Sequence, residues 1–112
     1  MKLVILESPF KEVTAELKAR NIAYLKEAMS HSLHLGESPI ASLLTWAMSE
    51  ILDDNNPDER KLGMEAGFAW YKVAEACVVY QDFGISRGMI AGIKKAADKK
   101  LPIFYRLIHE QV

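Results

Sequence analysis

The 112-residue chain is expected to fold as one α/β domain, residues 1–112, a three-layer sandwich around a small parallel sheet of about four strands. Three observations carry that expectation. Short apolar runs recur at 3–6, 39–42, 76–81 and 102–105. Segments with apolar residues at helical spacing separate them. The positions just after the strands are polar: Glu7/Ser8, Ser42, residues 82–86 and Arg106.

The run Leu3-Val4-Ile5-Leu6 stops at Glu7-Ser8-Pro9, and its brevity and β-branched content suit a strand buried on both faces. Ile22, Leu25, Met29 and Leu33 then mark one helix face, with Gly36 as its stop. Pro39-Ile40-Ala41-Ser42 is the second strand. Leu44, Met48 and Ile51/Leu52 give a second helical stripe that ends at Asp53-Asp54-Asn55. Asn56-Pro57-Asp58-Glu59 opens the next helix: Asn caps it, Pro suits the first position, Asp favours the positive first turn, and Glu completes a capping box. That helix is expected to turn Leu62, Ala66, Ala69/Trp70 and Val73 inward. The third strand spans 76–81. A last helix from Arg87 turns Met89, Ile93 and Ala96/Ala97 inward, and Pro102 opens the fourth strand, where a missing N–H is tolerated. The order β-α-β-α-α-β-α-β implies right-handed crossovers and helices on both faces of the sheet.

Composition narrows the function. Lys+Arg 14 against Asp+Glu 15 gives a net charge of −1, so no global field attracts nucleic acid or an anionic membrane. Lys94, Lys95, Lys99 and Lys100 gather near one helix end, where cations complement the dipole. Cys77 is the only cysteine and sits in an apolar run, which excludes an intrachain disulfide and fits a reducing, cytoplasmic setting. The apolar run at 3–6 is too short for a signal peptide or a membrane span. His31, His34 and His109 lack an obvious third ligand, so no metal is expected, and no motif calls for a cofactor.

The stretch from Val78 to Met89 is the most informative: a short apolar strand, a tight turn, then a serine that opens an amphipathic helix. Free backbone N–H groups, a hydroxyl and the positive helix end meet there, as a phosphate or sugar hydroxyl requires. An ordinary strand-to-helix connection with a serine N-cap reads the same way. With the other strand ends, this stretch makes Ser8, Pro9, Ser42, Asp82, Phe83, Gly84, Ser86, Gly88 and Met89 the candidate ligand-binding residues. Trp46 and Trp70 are either core or able to close over a base, and Phe83 is placed to flank a ligand.

Further motifs are spread along the chain. They comprise Ile5-Leu6-Glu7-Ser8-Pro9-Phe10, Asn21 with Ala28, Gly36-Glu37-Ser38-Pro39, Ala41-Ser42, Leu52-Asp53-Asp54, Arg60, Gly63, Glu65-Ala66-Gly67 and Trp70, then the 78–89 block, Ala96 and Pro102. In this order and spacing the chain resembles the nucleoside 2-deoxyribosyltransferase superfamily, closest to a branch common in phage and bacterial genomes. The resemblance implies a flavodoxin-like, Rossmann-like fold, a small-molecule nucleoside or nucleotide as partner, and a homo-oligomer, dimer or larger. In those enzymes a Ser-x-Gly-x-x-x-Glu block holds the 5′ end of the nucleoside and supplies the nucleophile that attacks C1′. Ser86 and Gly88 match; the nucleophile position is Gly92.

Glycine offers neither nucleophile nor base, and its helical neighbours Ile90, Ala91 and Ile93 cannot substitute. The missing side chain would leave room for a ligand larger than a nucleoside. Three functions follow: a nucleotide-binding protein that sequesters or senses its ligand, an N-glycosidase or deoxyribosyltransferase that uses another carboxylate, or a protein-interaction module with a relic pocket. Asp82 and Glu7 are the candidate catalytic carboxylates, with an Asx-type turn as the structural alternative for Asp82.

Overall fold

A computed structural model describes residues 1–10, 14–41, 51–53 and 55–109. The chain runs β1 (Lys2–Glu7), α1 (Ala15–His34), β2 (Glu37–Ile40), α2 (Pro57–Ala69), a 3₁₀ turn (Trp70–Lys72), β3 (Ala76–Tyr80), α3 (Arg87–Asp98) and β4 (Ile103–Arg106). The four strands form one all-parallel sheet in the order β2-β1-β3-β4. This is a small flavodoxin-like α/β sandwich, with the strand order of that fold up to its fourth strand. Among the described residues no helix is long and apolar enough to cross a membrane.

Alternation along the strands divides the core into two layers. Val4, Leu6, Ala76, Val78 and Tyr80 pack under Tyr24, Leu25 and Ala28 of α1. Ile5, Cys77 and Val79 face the other way, onto Tyr71, Met89 and Ala96. The central strand β3 is buried throughout, which explains its unbroken apolar run.

The helix faces differ from the expected ones. On α1 the buried residues are Asn21, Tyr24, Leu25, Ala28 and Ser32, whereas Leu33 is exposed. Polar side chains can face the core because each finds a partner: Asn21 Nδ2 donates to the Phe10 carbonyl at 3.2 Å, and Ser32 Oγ donates to Glu37 Oε1 at 2.7 Å. On α2, Leu62 is exposed and Gly67 is the buried residue, and beyond its end Trp70 and Val73 are exposed too. The 3₁₀ turn instead carries Tyr71 into the core, with Phe68 edge-on at 5.6 Å. On α3, Met89, Gly92 and Ala96 are buried and Ala97 is exposed. Leu44 and Met48, which carry the stripe of the expected additional helix, lie outside the described residues.

The Asn56 cap forms as expected, but not the capping box: the Asn56 N–H donates to the Asp53 carbonyl at 3.0 Å, and the Glu59 carboxylate faces the Asp53 N–H instead. Asn56 Oδ1 accepts the Asp58 and Glu59 N–H groups at 3.0 and 3.2 Å, with Pro57 at the helix start. Across the α1 face of the sheet, the Arg106 guanidinium grips Glu37 in a bidentate pair, both contacts 2.7 Å. Arg106 also donates to the Tyr80 hydroxyl at 3.1 Å, and His31 Nδ1 lies 2.8 Å from that hydroxyl.

Candidate functional site

In a 2-1-3-4 sheet the chain leaves β1 toward one edge and β3 toward the other, which opens a crevice beyond their carboxyl ends. Glu7 is the last residue of β1, in register with Val79 of β3. After Tyr80 the chain turns through Gly84, whose φ of +83° suits glycine and whose N–H donates to the Gln81 carbonyl at 2.9 Å. Ser86 then caps α3: its Oγ accepts the Met89 N–H, and its own N–H donates to Met89 Sδ, both at 3.3 Å. The Arg87 and Gly88 amides begin the helix ahead of its internal ladder. The Arg60 guanidinium reaches this end, 4.0 Å from where a Cβ on Gly88 would lie.

One helical turn further along, Gly92 carries the Glu7 side chain against it. A Cβ built at 92 would fall 2.5 Å from Glu7 Cδ and 2.7 Å from Oε1, with Oε2 nearer still. The space left by the missing side chain therefore holds a carboxyl of this chain, which corrects the expectation of room for a larger ligand. The Tyr71 hydroxyl donates to Glu7 Oε2 at 3.1 Å. Burial pushes the Glu7 carboxyl up to about 7, against the opposing pull of that hydrogen bond. The same surroundings raise Tyr71, through burial and then the nearby Glu7, and push the Cys77 thiol up to about 12. Cys77 is thus a buried, protonated thiol.

Asp82 is engaged otherwise. Its Oδ1 accepts the Tyr24 hydroxyl and the Ile108 N–H (2.9 Å), and its Oδ2 accepts the His109 N–H at 3.0 Å. Its own N–H donates to the Tyr24 oxygen at 2.8 Å. Burial works against its charge, yet the bonds from Tyr24, Ile108 and His109 hold its carboxyl below the usual range. Asp82 ties the end of β3 to α1 and to the chain after β4, partners other than the Gly84 region expected for an Asx turn. Beside it Phe83 is 45 % exposed, edge-on to Tyr24 at 4.8 Å, with the Arg20 guanidinium 4.1 Å from its ring centre.

The other expected site residues divide. Ser86, Gly84, Gly88 and Phe83 lie together on the carboxyl edge. Ser8 and Pro9 are buried in the turn after β1, and Met89 is core, beneath the cap it helps to close. Ser42 and Trp46 lie outside the described residues, and Trp70 is exposed on the turn after α2. Among the described residues no cluster of three or more His, Cys, Asp or Glu could hold a metal ion. Tyr71, Tyr24 and Arg20 were not singled out from the sequence. Tyr71 had no local signal, since its partner Glu7 is 64 residues away.

A family model described as Domain of unknown function (DUF7768) matches residues 2–106. No curated protein matches the chain.

Proposed function

The chain belongs to the DUF7768 family, a domain of unknown function, and from that premise we propose that it binds a nucleoside or nucleotide in the crevice at the ends of β1 and β3. The observation that carries this reading is the Ser86-capped start of α3 opening on the point where the strand order reverses. A phosphate there would meet the Arg87 and Gly88 amides, the Ser86 hydroxyl and the positive helix end, with Arg60 close by. Phe83 offers an aromatic face at the rim for the base. The resemblance to the deoxyribosyltransferase superfamily supports the same ligand class.

Gly92 leaves the nucleophile position implied by the resemblance without a carboxyl, so this reading is of a binding protein that sequesters or senses its ligand. Exposed Leu62, Val73 and Ile90 offer apolar surface to the homo-oligomer that the resemblance implies. The test is a thermal-shift panel of nucleosides and of mono- to triphosphates on wild type and Ser86→Ala. At about 100 times Kd a ligand of the folded state adds roughly 2.7 kcal/mol, a shift of several degrees. Ser86→Ala should lower the apo midpoint modestly, by the loss of an N-cap worth about 1 kcal/mol, and should shrink the ligand shift much more. A panel without any shift counts against this reading.

A further inference from the structure

We infer that Arg20 selects the base: its guanidinium, locked beside the exposed ring of Phe83, takes the O6 and N7 acceptors of a 6-oxopurine, so the ligand class is a guanine or hypoxanthine nucleotide. The inference rests on the binding reading above and names the base; it takes nothing from the start of α3.

The arrangement begins in α1, which follows the carboxyl end of β1 and is capped by Thr14. Arg20 and Tyr24, four residues apart, share one side of that helix. Both meet Phe83: the Arg20 guanidinium carbon lies 4.1 Å from its ring centre, and the Tyr24 ring stands edge-on at 4.8 Å. The Tyr24 hydroxyl is bound to Asp82, which steadies that side of the rim. Arg20 is held from behind. Its Nε and Nη2 both donate to Asn21 Oδ1, at 3.2 and 2.9 Å. Asn21 is itself fully buried, and its Nδ2 donates to the Phe10 carbonyl at 3.2 Å. A buried amide oxygen needs its donors, so the guanidinium is fixed in its plane.

A neutral amide holds this cation, and its charge is left uncancelled. The carboxylate of Asp82, next to Phe83 in the chain, accepts from Tyr24, Ile108 and His109 instead. Among the described residues Asn21 is the one acceptor for Arg20. With Nε and one hydrogen of Nη2 spent on Asn21, the Nη1–Nη2 end remains, a pair of parallel N–H donors beside an aromatic ring. A cation–π contact alone asks only for proximity, not for a plane locked by a buried side chain.

Two parallel donors call for two adjacent acceptors. Guanine and hypoxanthine carry them at O6 and N7, the edge that arginine reads most often. Adenine sets an N6 donor beside its N7, and uracil a ring N–H between its oxygens, so each would turn a donor against a donor. Cytosine pairs O2 with N3, but its single ring covers less of Phe83 than a purine does.

The experiment is titration calorimetry of the 5′-monophosphates of guanosine, inosine, adenosine, cytidine and 7-deazaguanosine, with wild type and Arg20→Lys. All of them share the phosphate, so the ratios of their dissociation constants report on the base. Wild type should bind the guanosine and inosine nucleotides at least about 10-fold more tightly than those of adenosine and cytidine. It should bind the 7-deaza nucleotide, which has carbon in place of N7, at least about 10-fold more weakly than its parent. Arg20→Lys keeps the charge and loses the fork, and should bring both ratios below about threefold. The 7-deaza comparison uses wild type alone, so it decides the matter even if the variant does not fold. Nucleotide binding without a 6-oxopurine preference, or equal binding of the 7-deaza nucleotide, overturns the inference and leaves the binding reading standing. A preference that survives Arg20→Lys also overturns it. No binding of any nucleotide removes the binding reading, and this inference falls with it.

Discussion

Replacing Glu7 by Gln should make the protein more stable at neutral and alkaline pH and leave it unchanged in acid. Gln is isosteric, neutral, and able to accept the Tyr71 hydroxyl that Glu7 Oε2 accepts at 3.1 Å. The wild-type carboxyl sits at about 7 in the folded protein against 4.5 for an ordinary glutamate. Below about pH 4.5 it is protonated in both folded and unfolded chains, and the two proteins should match. Between 4.5 and 7 the unfolded chain loses the proton while the folded chain keeps it, so wild-type stability falls as pH rises. Above 7 the fall is complete. At about 1.4 kcal/mol for each pH unit between those two values, the full difference is roughly 3 kcal/mol. For a domain of this size that corresponds to a gap of roughly 10 °C in Tm. Urea unfolding of both proteins at pH 4.5, 5.5, 6.5 and 8 measures it, because titrations common to both cancel in the difference. An offset that stays flat across this range would show that Glu7 is an ordinary exposed carboxylate and would refute the reasoning.

Three further perturbations test separate parts of the structure. Gly92→Ala should evict the Glu7 carboxyl, gaining about 1 kcal/mol of helix propensity and losing about as much in the Tyr71 hydrogen bond. Its net stability should stay within about 1 kcal/mol of wild type at pH 4.5 and lie about 2 kcal/mol above it at pH 6, because the pH slope between 4.5 and 7 disappears, read from the same urea series. Glu37→Gln should cost about 2–4 kcal/mol near pH 7, since it leaves the part-buried Arg106 guanidinium without its carboxylate. Arg106 holds the Glu37 carboxyl below its ordinary value, so that contribution is present above about pH 4.5 and is lost as pH falls through the folded value; the gap to wild type should narrow in acid. Asp82→Asn should cost about 1–3 kcal/mol and loosen residues 108–109, seen as faster amide exchange at Ile108 and His109.

Much of the frame was legible because its signals are local. The runs that became β1, β3 and β4, the Asn56 cap and the Ser86 cap each depend on a few adjacent residues. Phase was harder to read. The first helix buries Asn21, Tyr24 and Ser32, polar residues that no hydrophobic periodicity selects, because Phe10, Asp82 and Glu37 satisfy them from elsewhere. Tyr71 escaped notice for a related reason: the 3₁₀ turn after α2 changes the helical phase that pointed to Trp70 and Val73. The sharpest gap concerns Gly92. The sequence shows a glycine at 92, where the resemblance would imply a carboxyl, and Glu7 as a carboxyl at a strand end. Only the packing of α3 against β1 brings the two into contact.

The Glu37–Arg106 pair has a consequence for how the sheet comes apart. Glu37 belongs to β2 and Arg106 to β4, the two outermost strands, which share no backbone hydrogen bond. In an ordinary open sheet each border strand can peel away by itself. Here, peeling either one strands a charge on the other: if β2 leaves, Ser32 also loses its bond to Glu37, and if β4 leaves, Tyr80 loses its bond from Arg106. The two borders are thereby made to fray together, so that a four-stranded ribbon with two free margins resists opening as a closed hoop does.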